Sequence, residues 1–186
     1  MIEIRYEPND LTFKLSTSGF AHKDEEWLEL HVEVTQGKNR YSETGSWLEA
    51  RDIWTIANWF NALSKNRLPK SGSLSFMEPN ININFIATSE RGVMISVELE
   101  AEFEMNFMVQ QFHPGLFVDG KSFKDILKGG GYDPYDYGNE LIFEIKSDEF
   151  PNIIHSLKEA GLKYPPYRNE GFPPMTEEVF MDVFEE

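Results

Sequence analysis

The strongest pattern in the chain is a helix with a single apolar stripe, followed at once by residues that alternate like a β-strand. Between residues 50 and 65, apolar side chains recur three or four positions apart, which indicates a helix that packs one face on a core. The stripe consists of Ile53, Ile56, Ala57, Phe60 and Leu63. Residues 81–85 then alternate between apolar and asparagine side chains, and Pro79 before them is tolerated only at a strand end, an edge or a bulge. Such a helix needs a sheet to cover.

The same alternation predicts most of the remaining strands. It runs through residues 2–6, 11–15, 27–36, 93–105 and 141–145, with a polar strand expected at 40–44. Strands with one apolar face are typical of antiparallel sheets that are covered on one side and wet on the other. A second helix is predicted to begin at Ser147 and to end at Gly161. We therefore expect an α+β fold, with a single antiparallel sheet of about six to eight strands and helices packed on one face.

Length and composition favour one domain over residues 1–186. A chain of this length can bury a large core, and 40% of its residues are hydrophobic. Residues 105–138 follow no regular pattern, and the tail 165–186 is rich in proline and acidic residues. The chain contains no cysteine, which excludes disulfides, thiolate metal sites and a cysteine nucleophile. No N-terminal apolar segment and no stretch of membrane-spanning length are present, so a cytoplasmic protein is expected.

The formal charge of −15 limits the classes of partner. A nucleic-acid-binding protein needs a basic patch that displaces counterions from phosphates, and an anionic membrane surface also repels an acidic protein. Neither nucleic acid nor a membrane is therefore expected as a partner. A basic protein is a suitable one, since a field of one sign speeds association with an oppositely charged surface. Acidic side chains also serve simple solubility, so the charge alone does not decide between these two explanations.

A row of glutamates is the most specific candidate for a contact surface. Four of them would lie on one face of the strand expected at 93–105: Glu98, Glu100, Glu102 and Glu104. Glu29 and Glu33 would lie on the polar face of the strand at 27–36. Neighbouring side chains on the same face are about 7 Å apart, so each pair repels by about 0.6 kcal/mol before screening by salt. The six residues would form an acidic plate for a basic protein, unless lysine or arginine on neighbouring strands neutralises them.

The glycine-rich segment 129–138 supplies the other candidate contacts with a partner. They are Tyr132, Asp133, Tyr135, Asp136 and Tyr137. The tyrosines are suited to protein recognition, because tyrosine is enriched at binding hot spots. The two aspartates would repel phosphate, so the three consecutive glycines beside them do not indicate a nucleotide-binding loop. The alternative is a loop whose tyrosines simply lie on the surface of their own domain.

No catalytic motif and no cofactor motif is found in the chain. His31 alternates with Glu29 and Glu33 on one strand face, where the three side chains could share a cation. A solvated strand face explains the same pattern, because metal sites normally draw their ligands from more than one element. We therefore expect no catalytic residue, no cofactor and no metal.

The order of residues from 47 to 85 resembles the WapI-like immunity proteins of bacterial toxin–immunity systems. The motifs that carry the resemblance are W-L-E-A-R-D-I-W-x-I-A-N-W-F-x-x-L and F-M-E-P-N-x-x-x-x-F, with W-L-E-L-H-V-E-V before them and L-K-Y-P-P-Y-R near the C-terminus. The resemblance covers most of residues 26–100 and about 140–168. Glu49 stands where such helices more often begin with threonine or serine, and residues 103–138 do not follow the family pattern.

The resemblance implies a non-catalytic cytoplasmic protein that neutralises a cognate toxin domain by binding to it. The acidic charge of the chain would suit a toxin that is a basic nuclease. Two alternatives stay open. One is a metal-dependent hydrolase that uses clustered carboxylates, and the other is a small assembly or ligand-binding module that uses the loop at 129–138. The sequence leaves the oligomeric state open.

Overall fold

The computed structural model describes most of the chain and shows an α+β fold with two main antiparallel sheets. The described residues are 1–22, 26–67, 72–78, 80–100, 103–107, 109, 117–118, 121–122 and 139–166. Each main sheet has four strands, and the described ranges contain two α-helices. None of the helices in those ranges has the length and the apolar character needed to cross a membrane. The α+β class predicted from the sequence is confirmed.

The first sheet is a meander formed by the residues before position 50. Its strands pair in chain order: β1 (Ile2–Tyr6), β2 (Leu11–Phe20), β3 (Trp27–Gln36) and β4 (Asn39–Glu49). The turn between β3 and β4 passes through Gly37, whose φ of 58° lies in the left-handed region that glycine adopts without strain. The apolar residues that alternate along β3 are all fully buried, as the pattern predicts: Leu28, Leu30, Val32 and Val34.

The second sheet is formed by later parts of the chain. Its strands are β5 (Ser73–Leu74), β6 (Ile81–Thr88), β7 (Gly92–Leu99) and β10 (Asn139–Lys146), in the spatial order β10-β7-β6-β5. Two short strands, β8 (Phe117–Val118) and β9 (Lys121–Ser122), pair with each other. Gly92 permits the close pairing of β7 with β10, because an added Cβ there would lie 1.9 Å from the carbonyl oxygen of Ile145.

Two helices connect to the ends of these sheets. Helix α1 (Ala50–Ser64) follows β4 directly, and helix α2 (Phe150–Lys163) follows β10. The backbone N–H of Glu49 donates a hydrogen bond to Oδ2 of Asp52 over 2.8 Å, which satisfies a donor at the start of α1. Burial is the main cause that raises the pKa of Asp52. Every residue of the predicted apolar stripe of α1 is buried, so this helix and its orientation are confirmed.

One hydrophobic core joins the described residues of both sheets and both helices. The rings of Phe13 on β2 and Phe143 on β10 lie 6.4 Å apart, and so do the rings of Phe60 on α1 and Phe150 on α2. Aromatic rings attract one another at such separations. A shared core is what a single domain requires, and the assignment of residues 1–186 to one domain stays a prediction.

The single sheet of six to eight strands predicted from the sequence is wrong. The strands divide into two sheets of four, and the edge strands β1 and β10 lie close to each other without forming a ladder of hydrogen bonds. Alternation shows which face of a strand is buried, but it does not show which strand lies beside it. Bulges at Thr17/Gly19, Leu28/Leu30 and Phe85/Ala87 also increase the local twist, which no alternating pattern reports.

Both predicted ends of the second helix are also wrong. Helix α2 begins at Phe150 with Glu149 at its N-cap, two residues after the predicted Ser147. Helix α2 continues to Lys163, and Gly161 lies inside it, buried against the indole of Trp54 on α1. A Cβ added at Gly161 would lie 2.6 Å from Cε2 of Trp54, so the two helices approach too closely for a side chain at this position. Glycine thus permits close helix packing here, although the same residue type commonly marks a helix end.

Candidate partner-binding surface

The glutamate row predicted at 98–104 is divided between two places in the structure. Strand β7 ends at Leu99, so Glu98 lies in the sheet and Glu100 follows it. The N–H of Phe103 donates to the carbonyl of Glu100 over 3.3 Å, a contact between residues three apart that an extended strand does not make. The common strand face predicted for all of these glutamates is therefore wrong: Glu100 stays beside Glu98 through its contact with Asn82, but the chain turns away before Glu104. Glu102 and Pro79 lie outside the described residues.

Glu104 lies next to the first sheet rather than next to Glu98. Phe103 is buried, and its ring lies 4.5 Å from the ring of Trp47 on β4. The neighbouring Glu104 and Glu43 of β4 both lie close enough to Tyr41 for their charges to act on its hydroxyl. Burial is the main cause that raises the pKa of the Tyr41 hydroxyl, and the charges of Glu43 and Glu104 raise it further. The Tyr41 hydroxyl on β4 thus has two acidic side chains near it.

Glu98 lies on the face of the second sheet that points away from the core. Its partners directly across the neighbouring strands are Asn82 on β6 and Glu140 on β10. Residues opposite each other in an antiparallel pair have Cβ atoms about 4.5–5.5 Å apart. Burial raises the pKa of Glu140, a hydrogen bond with Ser96 acts against this rise, and the charge of Glu98 adds to it. Sequence reasoning missed this carboxylate pair, because only the register of β7 and β10 brings the two residues together.

Asn82 extends the polar group on this face. Its side chain is 9% exposed, and its Nδ2 donates a hydrogen bond to Oε1 of Glu100 over 3.2 Å. Its Oδ1 is buried, and no donor from the described residues reaches it. The sequence showed Asn82 as an outward-facing residue of an alternating strand, but it gave no sign that the amide would be buried. We call Asn82, Glu98, Glu100 and Glu140 the acidic row of the second sheet.

Part of the rest of this outer face is buried, although the sequence predicts a wet face. Met94 of β7 and Ile142 of β10 form a small apolar cluster there and are 4% and 5% exposed. Ser96 between Met94 and Glu98 is 1% exposed, and its hydroxyl accepts a hydrogen bond from Nδ2 of Asn84 over 3.3 Å. The sequence does indicate this burial: the residues next to Met94 and Ile142 are also apolar, and such consecutive apolar runs are typical of strands buried on both faces.

The outer face of the first sheet carries balanced charges. Glu33 contacts Arg40 and lies 4.0 Å from Nζ of Lys14. Lys14 lies 3.3 Å from Glu3, which also contacts Arg5 over 3.2 Å. The acidic plate predicted to combine this face with the glutamates after residue 97 is therefore not formed. For Glu33 the alternative explanation holds: basic side chains on neighbouring strands neutralise it. A binding role for Glu29 and Glu33 stays a prediction.

The possible cation site of His31 is not formed among the described residues. Nδ1 of His31 lies 3.1 Å from Oγ1 of Thr44, and the hydroxyl of Ser18 donates to the carboxylate of Glu29. Glu33 meets the basic side chains described above, so the three residues each contact a different neighbour. Within the described ranges, no three His, Cys, Asp or Glu side chains are grouped so that they could hold a metal ion.

The remaining predicted contact residues lie outside the described part of the chain. They are Tyr132, Asp133, Tyr135, Asp136 and Tyr137. The same is true of most of the segment 105–138 and of the tail after residue 166. Their roles in partner binding stay predictions.

A groove of about 290 Å³ lies between β1, β10 and the start of α2. Its wall includes the apolar side chains of Ile4, Ile145 and Ile153, and its polar lining includes Glu3 and Glu149. Pockets that bind small molecules typically enclose about 300–1,000 Å³. The groove lies just below that range. The ligand-binding alternative was predicted for the loop at 129–138, which lies outside the described residues, so it stays a prediction.

Comparison with known protein families gives one finding for this chain. The pattern of the family described as "Immunity protein WapI-like family" matches residues 4–165. The match therefore includes both main sheets and both helices. The searches of curated proteins and of solved structures give no match.

Proposed function

The chain belongs to the WapI-like immunity protein family, and we propose that it neutralises a cognate toxin by binding directly to the toxin protein. The family supports a role in toxin immunity in general. The proposal adds that the protein acts by stoichiometric binding, without catalysis, and that it does so in the cytoplasm.

The acidic row of the second sheet is the observation that carries the mechanism. Glu98 and Glu100 take part in none of the ion pairs between described residues, whereas Glu33 on the first sheet is neutralised by two basic side chains. Carboxylates that no described basic side chain neutralises, such as those of Glu98 and Glu100, attract a basic protein and repel acidic ones. The formal charge of −15 adds a long-range field of the same sign.

The charge of this surface favours a nuclease as the toxin. A nuclease must hold a polyanion, so its active surface carries lysine and arginine side chains that pair with phosphates. An acidic protein that binds the same side chains would block the access of nucleic acid. We propose this class of toxin, with Glu98 and Glu100 at the centre of the contact and Glu104 beside Glu43 as a second acidic contact.

A catalytic mechanism has no observation in its favour among the described residues. No group of three potential metal ligands occurs there, which gives the metal-dependent hydrolase no site in those ranges. The raised pKa of Glu140 comes from burial and from the neighbouring Glu98, and the carboxylates of the acidic row lie on one sheet rather than in a cleft between separate elements.

Co-expression with the toxin encoded by the adjacent reading frame tests the proposal. We expect the chain to restore growth of cells that express the toxin, and the two purified proteins to elute from a size-exclusion column as one complex. A matched test uses a catalytically inactive toxin, which should bind equally well. Growth protection without a complex between the purified proteins would show that the protein acts indirectly and would contradict the proposal.

A further inference from the structure

The amide of Asn82 is held in one orientation inside the acidic row. Its Nδ2 donates to Oε1 of Glu100 over 3.2 Å, so its Oδ1 faces the other way. Asn82 pairs directly with Glu98 in the register of β6 and β7, and the carboxylate of Glu98 is the adjacent group on this face. The side chain is 9% exposed, and Oδ1 is among the buried polar atoms that no described donor reaches.

A buried acceptor of this kind needs an explanation. The great majority of buried polar side-chain atoms in proteins have a hydrogen-bond partner, and an exception often marks a functional position. The two carboxylates next to Asn82 do not supply a donor to Oδ1, since Glu98 and Glu100 are acceptors when ionised. Together with Oδ1 they present acceptor oxygens and negative charge.

From these observations, and on the premise that the protein binds a basic toxin, we propose that Asn82, Glu98 and Glu100 form a receptor for one cationic side chain of that partner. Lysine and arginine carry several donors and no acceptor, which matches a site made of an amide oxygen and carboxylates. Glu140 beside Glu98 adds to the negative potential. A bound metal ion is less suited to the site, because the described residues provide no group of three ligating side chains.

The source of the cation determines whether a variant changes the stability of the free protein or only its affinity for the toxin. If the cation comes from the partner, the free protein loses no ion pair when Glu98 is neutralised. Replacing Asn82 removes an unsatisfied buried acceptor, but it also removes the hydrogen bond from Nδ2 to Glu100. If a lysine of the same chain occupies the site, neutralising it removes an internal ion pair and destabilises the free protein. The variant that separates these cases is Glu98→Gln. Asn82→Leu, which removes the acceptor and keeps the branched shape of the side chain, tests the contribution of Oδ1 to affinity.

The test measures two quantities for each variant: the dissociation constant for the toxin of the adjacent reading frame, by calorimetry, and the melting temperature of the free protein. We expect both variants to bind about 10- to 100-fold more weakly, which corresponds to the loss of a hydrogen bond to a charged group. The melting temperature of Glu98→Gln should equal or exceed that of the wild type, whereas Asn82→Leu also loses the hydrogen bond to Glu100, so it is judged by its affinity alone. Glu90→Gln is the matched control, since Glu90 is an exposed acid in the turn at the other end of β7.

The other outcomes overturn the proposal in different ways. Equal affinity of the wild type, both variants and the control would refute the receptor while leaving direct toxin binding intact. Absence of any complex with the wild type would refute both. A lower melting temperature for Glu98→Gln would assign the site to a cation of this chain. A melting temperature of the wild type that rises with added Mg²⁺ or Ca²⁺, and does not rise for Glu98→Gln, would assign it to a metal ion.

Discussion

Glu98 of β7 lies directly opposite Glu140 of β10, on the face of the second sheet that points away from the core. Two carboxylates in this relationship repel each other, and like charges opposite each other destabilise a strand pair. A partner that brings a cation to this row would relieve the repulsion. The pair therefore links the stability of the sheet to the proposed binding of a basic toxin.

The first prediction concerns the pH dependence that Glu140 contributes. Burial and Glu98 raise its pKa, so the folded protein holds this proton more tightly than the unfolded chain does. The contribution to stability is therefore fully present below the ordinary pKa of glutamate and is lost as the pH rises through the raised pKa. We expect Glu140→Gln to be more stable than the wild type at neutral pH by about 0.2–1 kcal/mol, with no gain in acid, in urea unfolding experiments.

Glu90→Gln controls for the general effect of removing one charge from an acidic protein. At neutral pH it should raise the free energy of unfolding by less than Glu140→Gln does, because Glu90 is exposed to solvent. If Glu140→Gln is less stable than the wild type at neutral pH, the carboxylate of Glu140 stabilises the fold through an ion pair, and the account of the pair is wrong.

The second prediction concerns the contact between the two helices. Gly161→Ala places a methyl group 2.6 Å from Cε2 of Trp54, so α1 and α2 must separate. Although alanine favours helix formation over glycine by about 1 kcal/mol, we expect a net loss of about 1–3 kcal/mol in the free energy of unfolding. Chemical denaturation measures the loss. Gly72→Ala is the control, because no atom lies within 4 Å of its added Cβ, and it should change stability little. Equal stability of the two variants would contradict the helix packing described above.

The third prediction concerns the start of α1. The carboxylate of Asp52 accepts the N–H of Glu49, so Asp52→Ala leaves that donor without its acceptor. We expect a loss of about 0.5–2 kcal/mol, the usual cost of removing a side chain that caps a helix. Asp52→Asn keeps an oxygen acceptor and removes the partly buried charge, so it should lose less than Asp52→Ala. Thermal unfolding followed by circular dichroism measures both variants, and a larger loss for asparagine would show that the charge matters more than the hydrogen bond.

The sequence was informative where structure is decided locally. The stripe through Ile53, Ile56 and Phe60 and the alternation through Leu28 to Val34 predicted correctly which side chains are buried. The division into two sheets could not be predicted in this way, because pairing partners depend on contacts between residues far apart in the chain. The prediction that the glutamates share one strand face was wrong for a related reason. Phe103 is buried, as its alternation indicates, but it packs on Trp47 rather than along β7.

The candidate site also depends on strand pairing, which the sequence does not show. Asn82 and Glu140 have no special context in the sequence, and they become important only because β6, β7 and β10 lie side by side in one register. Gly161 is an example of one residue type with two physical uses, a helix end or a close contact, and only the position of Trp54 decides between them. The contact residues predicted in the loop at 129–138 lie outside the described ranges, and their role in binding stays a prediction.

The association rate of the protein with its toxin tests the central claim of direct binding through an acidic surface. Stopped-flow fluorescence can follow the reaction with an inactive toxin as the salt concentration is raised. The proposed mechanism predicts a rate constant that falls by about tenfold or more between low salt and about 0.5 M salt, and a double variant Glu98→Gln, Glu100→Gln that associates more slowly at low salt than Glu90→Gln. A rate constant that does not change with salt, or equal rates for the double variant and the control, would contradict it.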